Sequence, residues 1–595
     1  MFSEKLPLPV ALGVILIITF AAYTPAIKGR FVWDDDGMLT NNLVLKENGL
    51  YHSWFATYQP NYWPITWTSY WLQYQLWGLN PAGYHLVNIL IHAACALLIW
   101  RILLRLNIPG AWLAALIFAV HPVNVESVAW IAQLKTVLSM LFFLLAVLLY
   151  LQFDGGGRQR LYWLAVVSFI LAMLSKGSVV ALPVVLLMCA WWLHRTITRR
   201  DLLRSIPFFA ISAVMAGVEI WFQYARAIAG DVIRTDTFLA RLAGAGSAVW
   251  FYIYKMLLPI SLSFIYPRWN IDPRNWLSYV PDIALLGLLV LCWLYRRSWG
   301  RPVLFALAYY IVMLLPVLGF FNIYFMKYSL VADHYQYVSI IGVIAILVAA
   351  GHHIAARFGR QQASAARIVA AFVLLAFGAL SWHRSCIYKD SETIWRDTLH
   401  KNPSAWIAHN YLGTIIQSQG KIDEAINHYN QALLLKPDLV EAHNNLGMAA
   451  ASLGKLDQAV EYLRKALLLN PSYAEAYSNL GNVLFEQGKI DEAVRRYRQA
   501  LLLQPGYADA HNNLGVALQL QGKLDEAVNH FRQALLLMPR YVDAYINLGL
   551  ALQSQGNIAE AVSHYRHVLQ IDPNNTKAGR ALQALLKNTS SAPGR

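Results

Sequence analysis

The chain has 595 residues, 57% of them apolar, and a formal net charge of +15. That balance excludes an ordinary water-soluble globule. The apolar excess fills residues 1–384, whereas 385–595 has the composition of a water-soluble α-protein.

Cys95, Cys189, Cys292 and Cys386 build neither a disulfide framework nor a zinc spacing. Much of the positive charge lies in short arginine-rich loops between apolar runs, with no nucleic-acid motif, so it reads as a topology signal and not as a nucleic-acid surface.

Apolar runs of spanning length occur near 8–27, 84–104, 110–132, 134–153, 161–175, 177–194, 205–224, 280–297, 302–322, 328–350 and 366–384. The first lacks a small-x-small cleavage site and reads as a retained helix. Arg101 and Arg105, Arg158 and Arg160, the basic cluster 194–204, Arg296, Arg297 and Arg301, and the stretch Arg357 to Arg367 mark cytoplasmic loops. All agree with about eleven transmembrane helices, the N-terminus inside and the C-terminal part outside. A crossing at 242–266 would break this order, so that segment reads as a helix in, or re-entering from, the outer interface.

Directly after the first run stands Arg30-Phe31-Val32-Trp33-Asp34-Asp35-Asp36-Gly37. Carboxylates are costly at bilayer depth, so the three aspartates belong just outside it or in a watery cavity. Asp36 also suits a helix N-cap. Tyr51, Trp54, Phe55, Tyr58, Tyr62, Trp63, Trp67, Tyr70, Trp71, Tyr74, Trp77 and Tyr84 read mainly as an aromatic belt at headgroup level.

Polar groups then recur where lipid-buried helices would not carry them: His121 to Ser127 with Glu126, Lys135, Ser175-Lys176-Gly177, and Asp333-His334-Tyr335. In this topology all fall near the outer face with Asp34–Asp36. A single lysine or histidine at a helix end snorkels to the interface; several ionisable groups on one face point to function.

Beyond residue 384, Pro403, Pro437, Pro471, Pro505, Pro539 and Pro573 recur every 34 residues, with Gly413 to Gly549 and Ala425 to Ala561 in step. This is the tetratricopeptide period. The expected organisation is a membrane domain over 1–384, a linker and capping half-repeat helix over 385–403, about five repeats over 404–573, and a capping helix and tail over 574–595. Asn445, Asn479, Asn513 and Asn547 keep the same period. Their amides either hold an extended acceptor chain or bond within the helix pairs.

Phe31-Val32-Trp33-Asp34-Asp35, Asn61-Tyr62-Trp63-Pro64-Ile65-Thr66, Tyr84-His85-Leu86-Val87-Asn88 and His121 to Val128 resemble the transmembrane-and-tetratricopeptide O-mannosyltransferase family and its bacterial relatives. The resemblance implies an all-α protein: a polytopic GT-C-like bundle followed by a repeat solenoid. It also implies transfer of a sugar from a polyprenyl-phosphate carrier to an extracytoplasmic acceptor, Ser/Thr of a protein held by the repeats. Asp34 takes the base position, with Asp35 beside it. Trp63 stands where the eukaryotic pattern has Arg, and Gln133, Leu134 and His334 depart from bacterial patterns, so the carrier phosphate falls to Lys135, Lys176 and His334.

His121, Glu126 and Asp333 are expected to support that pocket. A metal, Mg²⁺ or Mn²⁺, would have to use Asp34 and Asp36. A single displacement inverts the anomeric centre. The expected setting is a bacterial inner membrane, or an ER membrane in a eukaryote. Two other readings fit parts of the sequence: a non-enzymatic membrane-anchored scaffold, and a transferase acting on a glycan or lipid.

Overall fold

A computed structural model describes residues 7–40, 42, 45, 49–57, 59–230, 232–357 and 360–590. Every regular element among them is a helix. The chain divides into two compact units, Met1–Ala405 and Trp406–Arg595.

In the first unit nine helices among the described residues are long and apolar enough to cross a membrane. Ala111–Ala119 and Pro122–Ala129 make a tenth if a pair bent by 48° counts as one span, and Gln159–Ser175 is a shorter apolar helix. Each of the eleven expected runs overlaps one of these, although the run 328–350 becomes helical only from Ile340, in Ile340–Arg357. Leu286, Trp293, Phe372 and Leu375 stand exposed on such helices, an arrangement that only hydrocarbon solvent makes favourable. Phe238–Leu257, within the segment expected at the interface, is a 20-residue helix that is not among the spanning candidates.

The aromatic stretch is not mainly a belt. Trp63, Trp67, Tyr70 and Tyr84 are buried, because Pro64–Trp77 packs on Gln159–Ser175 and on the helices Pro81–Arg105 and Leu134–Asp154. Only outlying rings such as Tyr51 and Phe55 are exposed; Tyr58 lies outside the described residues.

One helix bears on the expected boundaries. Ser391–Lys401, read above as a half-repeat cap of the solenoid, is counted with the first unit. Trp395 is buried against Trp33 and Phe264, and Lys401 donates to the Leu262 carbonyl at 2.8 Å.

The second unit contains five helix pairs, from Trp406–Ser418 with Ile422–Leu435 to Val542–Ser554 with Ile558–Ile571, and then Thr576–Ser590. Its period has a steric cause. Gly413, Gly481 and Gly549 face Tyr429, Tyr497 and Tyr565, and Gly515 faces Phe531, so closely that an added Cβ would sit 2.6 Å from the ring. The rings are buried and cannot retreat. Gly515→Ala should therefore destabilise this unit by about 1–3 kcal/mol, seen as a lower thermal midpoint; an unchanged midpoint would show that the crossing is not close-packed.

Candidate functional site

The site begins where a span breaks. Pro122 cannot donate a helical hydrogen bond and keeps His121 extended (ψ 127°), so Ala111–Ala119 ends and the chain continues as short turns through Gln133. The backbone groups freed by the break find partners, as hydrocarbon surroundings require. The Asn88 amide donates to the Val128 and Trp130 carbonyls at 3.4 and 3.3 Å, and the Tyr70 hydroxyl donates to the Ile131 carbonyl at 2.9 Å. The Ala132 N–H donates to Asp35 Oδ1 at 2.7 Å.

That last bond ties the first loop to the break. Asp35 Oδ2 also accepts the Val32 N–H at 2.9 Å, so both oxygens of this buried carboxylate are engaged. Between the two anchored points Trp33 adopts φ 47°, a left-handed conformation that a bulky side chain adopts only when its surroundings enforce it. Its ring stacks on Trp130 at 5.6 Å and meets Phe264, Tyr328 and Trp395 edge-on. Asp34 is partly exposed, and no hydrogen bond or ion pair engages its carboxylate among the described residues. Burial raises this carboxyl above the ordinary carboxylate value, against a lowering by the Lys135 charge. Of the two expected catalytic carboxylates, Asp34 is open to a reactant and Asp35 is a staple.

Lys135 is buried and its ammonium lies 4.9 Å from the centre of the Trp63 ring, with no hydrogen bond or ion pair among the described residues. Lys176 stands in extended backbone (φ −166°) between Gln159–Ser175 and the turn Gly177–Val179. Its ammonium donates to Thr136 Oγ1 at 2.9 Å. Desolvation, and then the neighbouring Lys135 charge, lower it to about 7. Glu219 faces both lysines and accepts from Trp63 Nε1 at 3.2 Å. The sequence reading missed Glu219, although it is the sole charged residue of the apolar run 205–224, which is the signal that finds such groups.

His334 Nδ1 lies 2.6 Å from Glu126 Oε1. Burial, with Lys176 and Lys135 adding to it, holds the imidazole well below its ordinary value, so it is neutral and carries a single N–H. Asp333 accepts from the Tyr266 hydroxyl at 2.8 Å, and burial pushes it up to about 7. Arg384, also missed, is buried and pairs with Asp397 at 2.9 Å. It is the last residue of the apolar run 366–384.

His121 is not brought to the carboxylates. Its Nε2 bonds the Met256 carbonyl at 3.0 Å and its Nδ1 accepts the Val123 N–H. The donor set does not fit a divalent cation at Asp34 and Asp36. Asp36 accepts from the Thr40 hydroxyl at 3.0 Å, Lys135 supplies positive charge beside Asp34, and among the described residues no three His, Cys, Asp or Glu gather as ligands.

In the second unit the four asparagines send their amide N–H groups out of their own helix pair, while Asn513 Oδ1 accepts from the adjacent Asn512 at 3.2 Å. Asn445, Asn479 and Asn547 donate to Asn410, Asn444 and Asn512 on the first helix of the preceding repeat, at 3.2, 2.9 and 2.9 Å, and Asn513 donates to Asn482 at 3.0 Å. They form a seam between repeats.

The staple makes a prediction. An asparagine at 35 offers one acceptor oxygen, leaving a buried N–H of Val32 or Ala132 unpaired at a cost of about 1–3 kcal/mol. Asp35→Asn should lower the unfolding temperature in detergent, followed by tryptophan fluorescence, whereas Asp34→Asn should not; equal midpoints would refute the division of labour.

Tetratricopeptide-repeat families match residues 413–453, 449–488 and 481–522 ("TPR repeat") and 506–574 ("Tetratricopeptide repeat"). The chain is 24% identical over 477 residues to "Protein O-mannosyl-transferase TMTC3" of Homo sapiens, covering 71% of this chain and 51% of that protein. With "Protein O-mannosyl-transferase F38B6.6" of Caenorhabditis elegans it shares 23% identity over 448 residues, covering 71% and 62%. The chain thus spans about half to three-fifths of the length of these curated relatives. The crystal structure of MamA is similar to 28% of this chain over 97% of its own, at 30% identity and a TM-score of 0.25. By sequence the chain is similar to proteins named TMTC protein O-mannosyl-transferases, with tetratricopeptide repeats following its apolar helices.

Proposed function

We propose that the chain is an integral-membrane glycosyltransferase that moves a sugar from a polyprenyl-phosphate carrier to a Ser/Thr hydroxyl of a protein on the extracytoplasmic side. One observation carries the reading: an open carboxylate, Asp34, stands beside an unpartnered buried ammonium, Lys135. The names of the relatives support the same class, and the arginine-rich loops favour the extracytoplasmic side for the first loop and the repeats.

The chemistry divides between these groups. The acceptor oxygen attacks the anomeric carbon and its proton passes to Asp34, while the bond from that carbon to the phosphate oxygen breaks with its electron pair. Lys135 and Lys176 offset the charge growing on the departing phosphate, and the neutral His334 adds an Nε2–H donor when a protonated Glu126 donates to its Nδ1. One displacement inverts the anomeric centre. No step needs a metal, because two ammoniums and an N–H donor serve the leaving group. The repeats hold the acceptor: with one amide N–H committed to the seam, the ladder asparagines Asn445, Asn479 and Asn547 offer side-chain carbonyls to an extended backbone.

Two outcomes test this. Extracytoplasmic proteins from cells carrying the chain should show a sugar-sized mass increment that Asp34→Asn abolishes at equal expression; unchanged masses in both would remove protein glycosylation. The pH profile supplies the second. Asp34 must be ionised, so the rate rises with pH through a value above the ordinary carboxylate range. Lys176 must be protonated, so kcat/KM for the donor falls as pH rises through about 7. Lys176→Arg should carry that fall to higher pH, and an alkaline limb that stays in place would exclude Lys176 from the phosphate site.

A further inference from the structure

Glu219 takes no part in the steps above, yet it is anchored among the site's charges. Its Oε2 accepts the indole N–H of Trp63, and the same ring carries the Lys135 ammonium on its face. Its Cγ and Cδ lie against Gly177, where an added Cβ would come within 3.2 and 3.4 Å. Gly177 directly follows Lys176, so the missing side chain is what lets the carboxylate approach that lysine. A carboxylate this deep in an apolar helix is retained only for a partner, and here it has two ammoniums and closes a direct ion pair with neither among the described residues.

We propose that Glu219 is the resident counter-anion of the Lys135–Lys176 pair: it fixes Trp63 against Lys135 and balances both ammoniums until a phosphate takes its place. The inference rests on the phosphate-holding role of those lysines and assigns their regulation. Before a ligand arrives, two like charges in a desolvated pocket oppose each other's protonation, and Glu219 offsets that. The residue therefore strengthens phosphate binding most where Lys176 is about to lose its proton, and yields its place once the phosphate has arrived. Lys176 is faced by Lys135 and the Thr136 hydroxyl from the helix Leu134–Asp154, by Glu219 from Arg199–Phe222, by Glu126 from Val125–Ala129, and by His334 from the turn Asp333–Gln336.

The test is equilibrium binding of farnesyl phosphate, a short isoprenyl phosphate, to the full chain in detergent across pH, for the unsubstituted protein, Glu219→Gln and Gly177→Ala. Glutamine keeps an acceptor for Trp63 and removes the charge; the alanine methyl pushes the carboxylate off Lys176. Glu219→Gln should bind about tenfold weaker near pH 8.5, where the Lys176 ammonium loses its charge about one pH unit earlier. The difference shrinks towards pH 6, and Gly177→Ala moves the same way by less. Parallel curves, or a uniform loss at every pH, would reduce Glu219 to a structural role. Failure of the unsubstituted chain to bind farnesyl phosphate at any pH would overturn instead the assignment of the lysines on which the inference rests.

Discussion

One buried carboxylate holding two backbone N–H groups decides the geometry of the membrane unit's polar face. Asp35 takes the Val32 N–H from its own loop and the Ala132 N–H from the broken span. It thereby joins the first loop to the only kind of place in an apolar bundle where backbone donors are free. The turn this requires forces Trp33 into the left-handed region, at a cost of about 1–3 kcal/mol, which the surrounding ring contacts offset. With Asp35 committed and Trp33 immobilised, Asp34 is left with no hydrogen bond or ion pair to its carboxylate among the described residues. Two adjacent aspartates, alike in sequence, are thus given opposite roles by a single pair of hydrogen bonds.

The same break governs the electrostatics. Gln133 caps the start of Leu134–Asp154, so Lys135 enters at its first turn, and Lys176 sits at the matching end of the neighbouring hairpin. Both ammoniums are removed from water but not sealed by a carboxylate. Attraction in such a place is far stronger than in solvent, and so is the cost of leaving charge unmatched. Arg384 answers this with a direct ion pair to Asp397, and Glu126 with a hydrogen bond to the neutral His334. Lys135, Asp34 and Glu219 are matched only at a distance, which is the arrangement expected of groups that exchange partners when a charged substrate arrives.

The repeats obey a simpler rule. Each pair crosses at a glycine because an aromatic ring or Leu463 occupies the space of a side chain, and the turns carry Gly420, Gly454, Gly488, Gly522 and Gly556 at φ between 72 and 83°. The asparagine seam adds a polar tie from each repeat to the one before it, so part of the ladder's hydrogen-bonding capacity is spent on the stacking itself.

The sequence by itself determined the division into an apolar and a water-soluble part, the helical character of both, the positions of the eleven apolar runs and the repeat register. Each is written in local period or composition: run length against bilayer thickness, and a 34-residue recurrence that needs no tertiary contact to be read. It also pointed to the first-loop aspartates, Lys135, Lys176 and His334 as one polar group. What tertiary structure alone decided is the role of each. That Asp35 is consumed and Asp34 is not depends on an N–H 97 residues away. His334 is neutral because packing removes its water, and the asparagines turn inward because the preceding repeat offers them an acceptor. Glu219 joins the site only when its helix brings it to Trp63, 156 residues distant in the chain. Charge state and hydrogen-bond commitment are set by surroundings, and surroundings are assembled from residues far apart in sequence.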